Sequence, residues 1–532
     1  MPRSMFAGIV VLVAAFAVAA EPPKPALKVR AKSIADFGPL VAYAGSILGE
    51  DASGKAYADK IAELAAGKDG FEGIDVNNPI GAYVAFGDNV EESPVMVMVP
   101  VVSEKAFLEF LSGKLGLEPK KNDDGSYGLD VPNIPGLVFL RFVEGYAYIA
   151  LRSKESVEAK NLPKAGDFFP KKLEHFVEAT IEFDRIPLDV KKAIYGQFEL
   201  QLKTYLDGLQ PSKFQKLLND YWSDLVVEVA KTVLLDGEQL TVHFDAAPKT
   251  DDIAFDLRLT AKPKTTLADA LKGFGDRESL PATVIAAVEE PVARVALNFA
   301  LPPEAKKSIG TLADAAKTLF QDGAGDAERI AIEAAAQAVV PTLKSGDLQL
   351  GASVVPKKGE KFAVKFAAKV EKGDNIRSLL QFAAIGIPKD QAKMTMTAAK
   401  LGEAKLHKLQ ALDLAQSFPF DAVTSWFLTS DALFLAEMSE KKDGLEAMAK
   451  AKPASMPMLD ASVSAVALLA VLNADLGVEK LQQSAIEQFG KVRLYGTDAI
   501  SIRAAGGTDF RLALKAKGKG AALYFAQQKL RD

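Results

Sequence analysis

The chain has 532 residues, 49% hydrophobic and 25% charged, with a formal net charge of -5. This is the composition of folded globular protein rather than of disorder, and the interspersed charges form no basic stripe suited to nucleic acid. Cysteine is absent and the only histidines are His175, His243 and His407, which removes disulfides, thiolate metal sites, a cysteine nucleophile, a lipobox-type lipid anchor and a His-rich metal cluster.

The N-terminus reads as a secretory signal peptide over residues 1–20. Arg3 supplies the positive start, Met5 to Phe16 the apolar core, and Ala17-Val18-Ala19-Ala20 the small residues before a cut near Ala20. The apolar run falls short of the ~20 residues of a spanning helix. Residues 21–33, opened by Pro22, Pro23 and Pro25, read as a Pro-rich spacer.

Ser33 to Gly49 and Ala56 to Ala66 follow as helices. Ala82 to Phe86 and Val95 to Val101 alternate as strands. Glu104 to Leu115 is a helix capped by Ser103. Asn122-Asp123-Asp124-Gly125 is a turn, and Leu137 to Val143 with Tyr146 to Leu151 is a hairpin about Glu144-Gly145.

A clearer block starts at the strand Val177 to Phe183. Two helices come next, one from Pro187 to about Leu209 and one from Pro211-Ser212 to about Leu234. The strands Gln239 to Asp245 and Phe255 to Lys262 follow, and Thr265 or Thr266 caps a helix through Phe274. The same order returns after a candidate link at residues 275–290. Val292 to Phe299 is a strand, and the helices Pro302 to Phe320 and Ala327 to Leu343 are separated by Gly323 and Gly325. The hairpin Leu348 to Val354 with Phe362 to Lys369 follows, then the helix Asp374 to Ala384. Strands at Met394 to Ala398 and Leu406 to Ala411 lead to the hairpin Ser425 to Leu428 with Leu433 to Ala436. A third unit has the strand Ala461 to Leu472, the helix Leu476 to Phe489, the hairpin Ala499 to Ala504 with Phe510 to Lys517, and the helix Ala521 to Leu530.

The strands beginning at Phe255, Phe362 and Phe510 share the pattern Phe-x-h-x-h-x-Ala-Lys, where h is Leu, Val or Phe. Its alternation is that of a strand with one buried face, and its recurrence indicates an internal repeat. Pro187-x-x-x-Lys191-Lys192-x-Ile194 matches Pro302-x-x-x-Lys306-Lys307-x-Ile309. The turn at Gly145 precedes Phe183 by the same interval as the turn at Ser430 precedes Leu468. The expected fold class is therefore α+β, with repeated strand-helix-helix-hairpin-helix units, antiparallel sheets with helices packed on one face, and an internal duplication. The halves are 34–280 and 288–532.

No motif carries chemistry. Gly45-Ser46-Ile47-Leu48-Gly49 misses a nucleophile elbow by one residue. Ser439-Glu440-Lys441-Lys442 has Ser-x-x-Lys spacing within a charged turn. Gly323-Ala324-Gly325 is a helix break rather than a phosphate loop. Asp51-Ala52-Ser53-Gly54 and Asn122 to Gly125 do not continue as calcium loops. The neighbours Asp251-Asp252 and Glu289-Glu290 would point opposite ways on a strand. His243 reads as a surface or interface histidine, Trp222 and Trp426 as core or half-buried residues, and Lys191-Lys192 and Lys306-Lys307 as solvated faces. No catalytic, cofactor or metal residue is assigned.

The stretch Asn78 to Lys160 contains Pro79-Ile80-Gly81-Ala82-Tyr83, a Pro-Val-Met-Val strand, Val99-Pro100-Val101, a helix around Phe107 and Phe110, and the Gly145-Tyr146-Ala147-Tyr148 hairpin. It resembles large, functionally uncharacterised secreted proteins of planctomycete-type bacteria. The resemblance implies an extracytoplasmic location and carries over no activity and no functional residue. The expected role is a secreted or periplasmic binding protein for a protein partner, an envelope component or an apolar ligand. The alternatives are an extracytoplasmic hydrolase with a dispersed carboxylate and serine site, and a purely structural envelope protein.

Overall fold

The computed structural model describes residues 24–48, 71–86, 93, 95–132, 136–151, 153–209, 212–286, 288, 291–356, 362–386, 392–411, 424–439, 442–464 and 498–518. The chain divides into two compact units, Met1–Gln197 with Thr232–Lys262, and Phe198–Lys231 with Pro263–Asp532.

The first unit contains β1 (Leu27–Ser33), β2 (Pro79–Val84), β3 (Val95–Pro100), β4 (Lys120–Lys121), β5 (Tyr127–Asp130), β6 (Leu137–Val143), β7 (Tyr146–Leu151), β8 (Val177–Glu182), β9 (Gly237–Ala247) and β10 (Asp252–Ala261). They pair antiparallel in the order β4-β5-β6-β7-β3-β2-β1-β8-β9-β10. In the second unit, β11 (Arg277–Ser279) pairs with β19 (Ala454–Met456). The main sheet there contains β12 (Ala293–Ala300), β13 (Asp347–Pro356), β14 (Phe362–Lys369), β15 (Ala392–Leu401), β16 (Ala404–Ala411), β17 (Thr424–Thr429), β18 (Leu433–Met438), β20 (Leu459–Ser464), β21 (Ala499–Ala505) and β22 (Asp509–Lys517). Its order is β15-β16-β17-β18-β14-β13-β12-β20-β21-β22. Counted in chain order within its own sheet, each reads 4-5-6-7-3-2-1-8-9-10. The three Phe strands are β10, β14 and β22, each the last strand of a three-strand meander.

The helices are α1 (Ile34–Leu48), α2 (Glu104–Leu115), α3 (Ala165–Phe168), α4 (Leu188–Asp207), α5 (Lys213–Asp236), α6 (Thr266–Gly273), α7 (Leu280–Ala286), α8 (Pro303–Gln321), α9 (Asp326–Ser345), α10 (Gly373–Gly386) and α11 (Asp443–Lys450). Local chemistry sets several ends. The Ala106 N–H donates to the Ser103 hydroxyl at the start of α2, and Gly116 ends it at φ 67. The Ala268 N–H donates to Thr265 at the start of α6. Gly323, at φ 79, turns α8 into α9.

Strand alternation gives each sheet two faces. Face A carries Arg30 in the first sheet and Arg294 in the second, and face B carries Val29 and Val295. In the first unit, Phe107 and Leu111 of α2 pack on face B against Val99, Leu140 and Ala147. On face A, Phe168 and Phe169 pack with Met96, Met98 and Tyr148. Gly81 admits them, since a Cβ there would lie 2.5 Å from the Phe168 ring. In the second unit, α7 and α11 cover face A, packing Ile285, Leu445 and Met448 with Ala367, Leu428 and Leu435. A Cβ on Gly351 would lie 2.5 Å from Ile285 Cγ1 and 2.8 Å from the Pro281 carbonyl oxygen. On face B, Asp374 of α10 pairs with Lys405 of β16 at 3.5 Å.

Three expectations change. The end of the supposed spacer is β1, a central strand, because Leu27, Val29 and Ala31 alternate with Lys28, Arg30 and Lys32 and pair on both sides. The candidate link at 275–290 contains β11 and α7, where Ala282 and Ile285 are fully enclosed. Helices meet both faces of each sheet: α2 and α3 pack on separate apolar clusters in the first unit, and α7 and α11 lie on the face opposite α10 in the second. The signal segment, the helix expected at 56–66, the continuation past Ser464 and the helices expected at 476–489 and 521–530 lie outside the described residues. No helix among the described residues is long and apolar enough to cross a membrane.

Candidate functional site

The strands that meet at the middle of the second sheet have an inverted distribution of side chains. On β12, β13 and β14 the face A positions Ala296, Asn298, Gly351, Ser353, Ala363 and Ala367 are buried. These are small or polar residues. The face B positions Val295, Leu297, Leu350, Ala352 and Phe366 are larger on average and apolar, yet each remains half-buried. β20 continues face B with Leu459, Ala461 and Val463, also half-buried. Aromatic rings extend the strip, with Phe366 and Phe434 centred 5.9 Å apart and Phe427 stacked on Phe434 at 6.2 Å. In the first sheet the face B residues Val29, Ile181, Val242 and Phe244 of β1, β8 and β9 are also half-buried, but face A there carries half-buried polar residues such as Arg30, Glu178 and His243. Apolar side chains ordinarily seek full burial, and along these two strips they stop short of it.

The polar cluster of the first unit sits on face A. His243 faces Glu178 across β9 and β8, and Glu178 faces Arg30. Arg30 Nη1 donates to Glu178 Oε1 at 2.8 Å. The rings of His175 and His243 stack at 3.8 Å, and His175 Nδ1 lies 2.6 Å from Asp245 Oδ2. The Phe176 N–H donates to the other Asp245 oxygen at 3.0 Å. Burial first, and then the neighbouring His175, hold the pKa of His243 below its ordinary value. Asp245 can orient His175 as in a general-base pair, but no serine hydroxyl is bonded to either ring among the described residues. The stacked rings do not converge on one point, and no group of metal-ligating side chains occurs among the described residues.

Sequence reasoning placed His243 on the correct side of its strand and missed the pairing with His175 and Asp245. That contact depends on the register of β8 against β9, which local pattern does not supply. His407 is fully enclosed. Its Nδ1 accepts from the Thr397 N–H and its Nε2 lies 3.1 Å from the Thr429 hydroxyl. Burial, then Arg377 and Lys405, lower its pKa.

Other residues singled out in the sequence have structural partners. Asp124 accepts from Ser126 and pairs with Arg141 at 3.2 Å and Lys154 at 3.6 Å. Lys442 pairs with Glu446 at 2.7 Å, away from Ser439. The Gly325 N–H donates to Glu328, which caps α9. Asp251 sits in the β9–β10 turn at φ 61 and accepts from the Tyr43 hydroxyl. Trp426 is half-buried, with Lys408 over its ring at 5.3 Å. Trp222, expected in or near the core, is 53% exposed, because α5 buries no residue fully. Lys191, expected on a solvated face, is buried near the start of α4, and burial followed by Lys262 lowers its pKa. Lys306 is half-buried, its stem against Gly346, whereas Lys307 is exposed. Asp51 to Gly54, Glu289-Glu290 and the Ser46 side chain lie outside the described residues.

Comparison with protein-family models, curated proteins and solved structures gives no match.

Proposed function

We propose that the chain is a secreted or periplasmic, non-enzymatic binding protein that holds an apolar ligand against face B of its sheets. The observation that carries this reading is the inverted packing of β12, β13 and β14, with small residues enclosed on one side and Val, Leu and Phe only half-buried on the other. Fully burying one such side chain is worth about 1.5–3 kcal/mol. A ligand that covers the third or less that remains exposed gains at most about 0.5–1 kcal/mol from each such side chain, a favourable term that adds up along the strip. Secretion rests on the N-terminal pattern of Arg3, the Met5 to Phe16 run and Ala20.

We also read the shared strand order as an internal duplication. Gly81 and Gly351 occupy the second strand of their sheets, each beneath a segment packed on face A. Each begins the same local pattern, Gly81-Ala82-Tyr83-Val84 and Gly351-Ala352-Ser353-Val354.

Native mass spectrometry on exported protein, purified without detergent, tests the binding reading. An adduct released on denaturation as a lipid or other apolar compound is the expected result. Bare protein that also fails to take up an added fatty acid or phospholipid would remove it and favour a structural envelope role.

A further inference from the structure

The register of the second sheet aligns four polar side chains on face A. Ser462 of β20 faces Arg294 of β12, Arg294 faces Ser353 of β13, and Ser353 faces Lys365 of β14. Directly opposed residues stand roughly 5 Å apart. Hydroxyl, guanidinium, hydroxyl and ammonium thus follow one another across four adjacent strands, with Ser353 directly between the two cationic residues. The row continues through Ser501 on β21 to Lys515 on β22.

Two buried polar atoms in this row make no hydrogen bond, one of them an arginine Nε as also found at Arg30 in the first sheet. Ser353 is 1% exposed and its Oγ makes no hydrogen bond, and Arg294 Nε is buried and also unbonded. Buried polar atoms are almost always paired, and each exception asks for an explanation. Arg294 Nε–H can only donate and the Ser353 hydroxyl can donate as well as accept, so a single acceptor would satisfy both.

The neighbouring carboxylates do not fill that role. Asp460 reaches Arg294 only through Nη2, at 3.4 Å. Glu437 Oε1 lies 4.0 Å from Lys365 Nζ, beyond hydrogen-bond reach. Glu437 is also held close under α11, where a Cβ on Gly444 would be 2.3 Å from Oε1. Arg294, Lys365, Arg503 and Lys515 therefore outnumber Asp460, Glu437 and the Ser464-bonded Asp498 along this part of the face. The Arg294 and Lys365 side chains are 30% and 25% exposed, so the rim is open while Ser353 forms a closed floor.

We propose that Ser462, Arg294, Ser353 and Lys365 form an oxyanion-binding site for a phosphate-type group. Arginine presents several donors in a planar fork, lysine adds a point charge, and the hydroxyls donate from either side of Arg294. A tetrahedral oxyanion has enough acceptor oxygens for all four. The site lies on the face opposite the apolar strip and rests on separate observations, so its failure leaves the apolar-ligand reading standing.

The test is titration of the mature full chain with inorganic phosphate by calorimetry at constant ionic strength, with acetate and chloride as comparison anions. Saturable phosphate binding is expected. Loss of one hydrogen bond to a charged group weakens binding by about tenfold or more, so Ser353→Ala should do at least that and Arg294→Gln should do more. Ser353→Ala removes an unbonded hydroxyl and should raise the melting temperature without phosphate, which shows that the variant is folded. If Arg294→Gln does not fold, Lys365→Gln replaces it, with weakened binding again the expected result. Phosphate binding unchanged by Ser353→Ala would overturn the proposal, leaving Ser353 an unpaired structural hydroxyl. So would acetate binding as tightly as phosphate, or no saturable response beyond that to chloride.

Discussion

The two sheets share a strand order and differ in the chemistry of their central seams. In the first, Arg30 meets Glu178 across β1 and β8 at 2.8 Å, and His243 and Asp256 continue the row. In the second, Arg294 faces Ser462 and Ser353, and reaches Asp460 only diagonally at 3.4 Å. Each arginine has an unbonded Nε, but one is neutralised by a directly facing carboxylate and the other has hydroxyl neighbours on both sides. The common frame thus rests on apolar alternation and close packing at Gly81 and Gly351, which tolerate very different polar rows on the same strands.

The largest expected effect breaks that frame. Gly351→Val should destabilise the chain by about 3 kcal/mol, the upper part of the range for overpacked cores, because its side chain meets the Pro281 carbonyl as well as Ile285. Gly81→Val should cost less, since the Phe168 and Phe169 ring edges that it meets can rotate. Urea midpoints measure both, and a larger loss at Gly81 would mean that the two glycines do not play matching roles.

The seams come next. Glu178→Gln should cost roughly 1–3 kcal/mol by leaving Arg30 without its charged partner, and Asp460→Asn should cost less than about 1 kcal/mol, given its longer contact. Equal losses in denaturation would erase the distinction between the seams.

Acid sharpens the comparison through one histidine in each unit. Burial is the leading cause of the lowered pKa of both His243 and His407. The folded state favours each neutral ring, so this stabilisation is present above the unfolded pKa near 6.5 and is lost as pH falls towards the folded value. The slope is at most about 1.4 kcal/mol per pH unit for each histidine. Stability measured between pH 7 and 5 should fall less steeply in His243→Gln and His407→Gln than in the parent. An unchanged slope in both would remove this account. Trp222→Ser should be the mildest change, within about 0.5 kcal/mol, as its ring is largely in solvent.

Much of this frame is legible in the residues. Ser103, the Leu137 to Leu151 hairpin and the three Phe strands define elements through local signals, and the structure keeps nearly the same bounds. β1 alternates as clearly, but the prolines before it give the segment the look of a spacer. α7 is short and contains Pro281, so its role as a core helix depends on Gly351, which is distant in sequence. The candidate sites are less legible for the same reason. The His175 to Asp245 contact and the Arg294 to Ser353 row exist only through strand register. The half-buried state of face B depends on what packs above it, which alternation alone cannot specify.

The most direct measurement is photolabelling of the folded chain with a diazirine-bearing fatty acid, followed by mapping of the labelled peptides. The apolar-ligand account predicts saturable label on Val295, Leu350, Phe366 and their face B neighbours, competed by unlabelled ligand and reduced by Phe366→Asp. Label confined to the exposed helix residues around Trp222, or none that competitor removes, would contradict it.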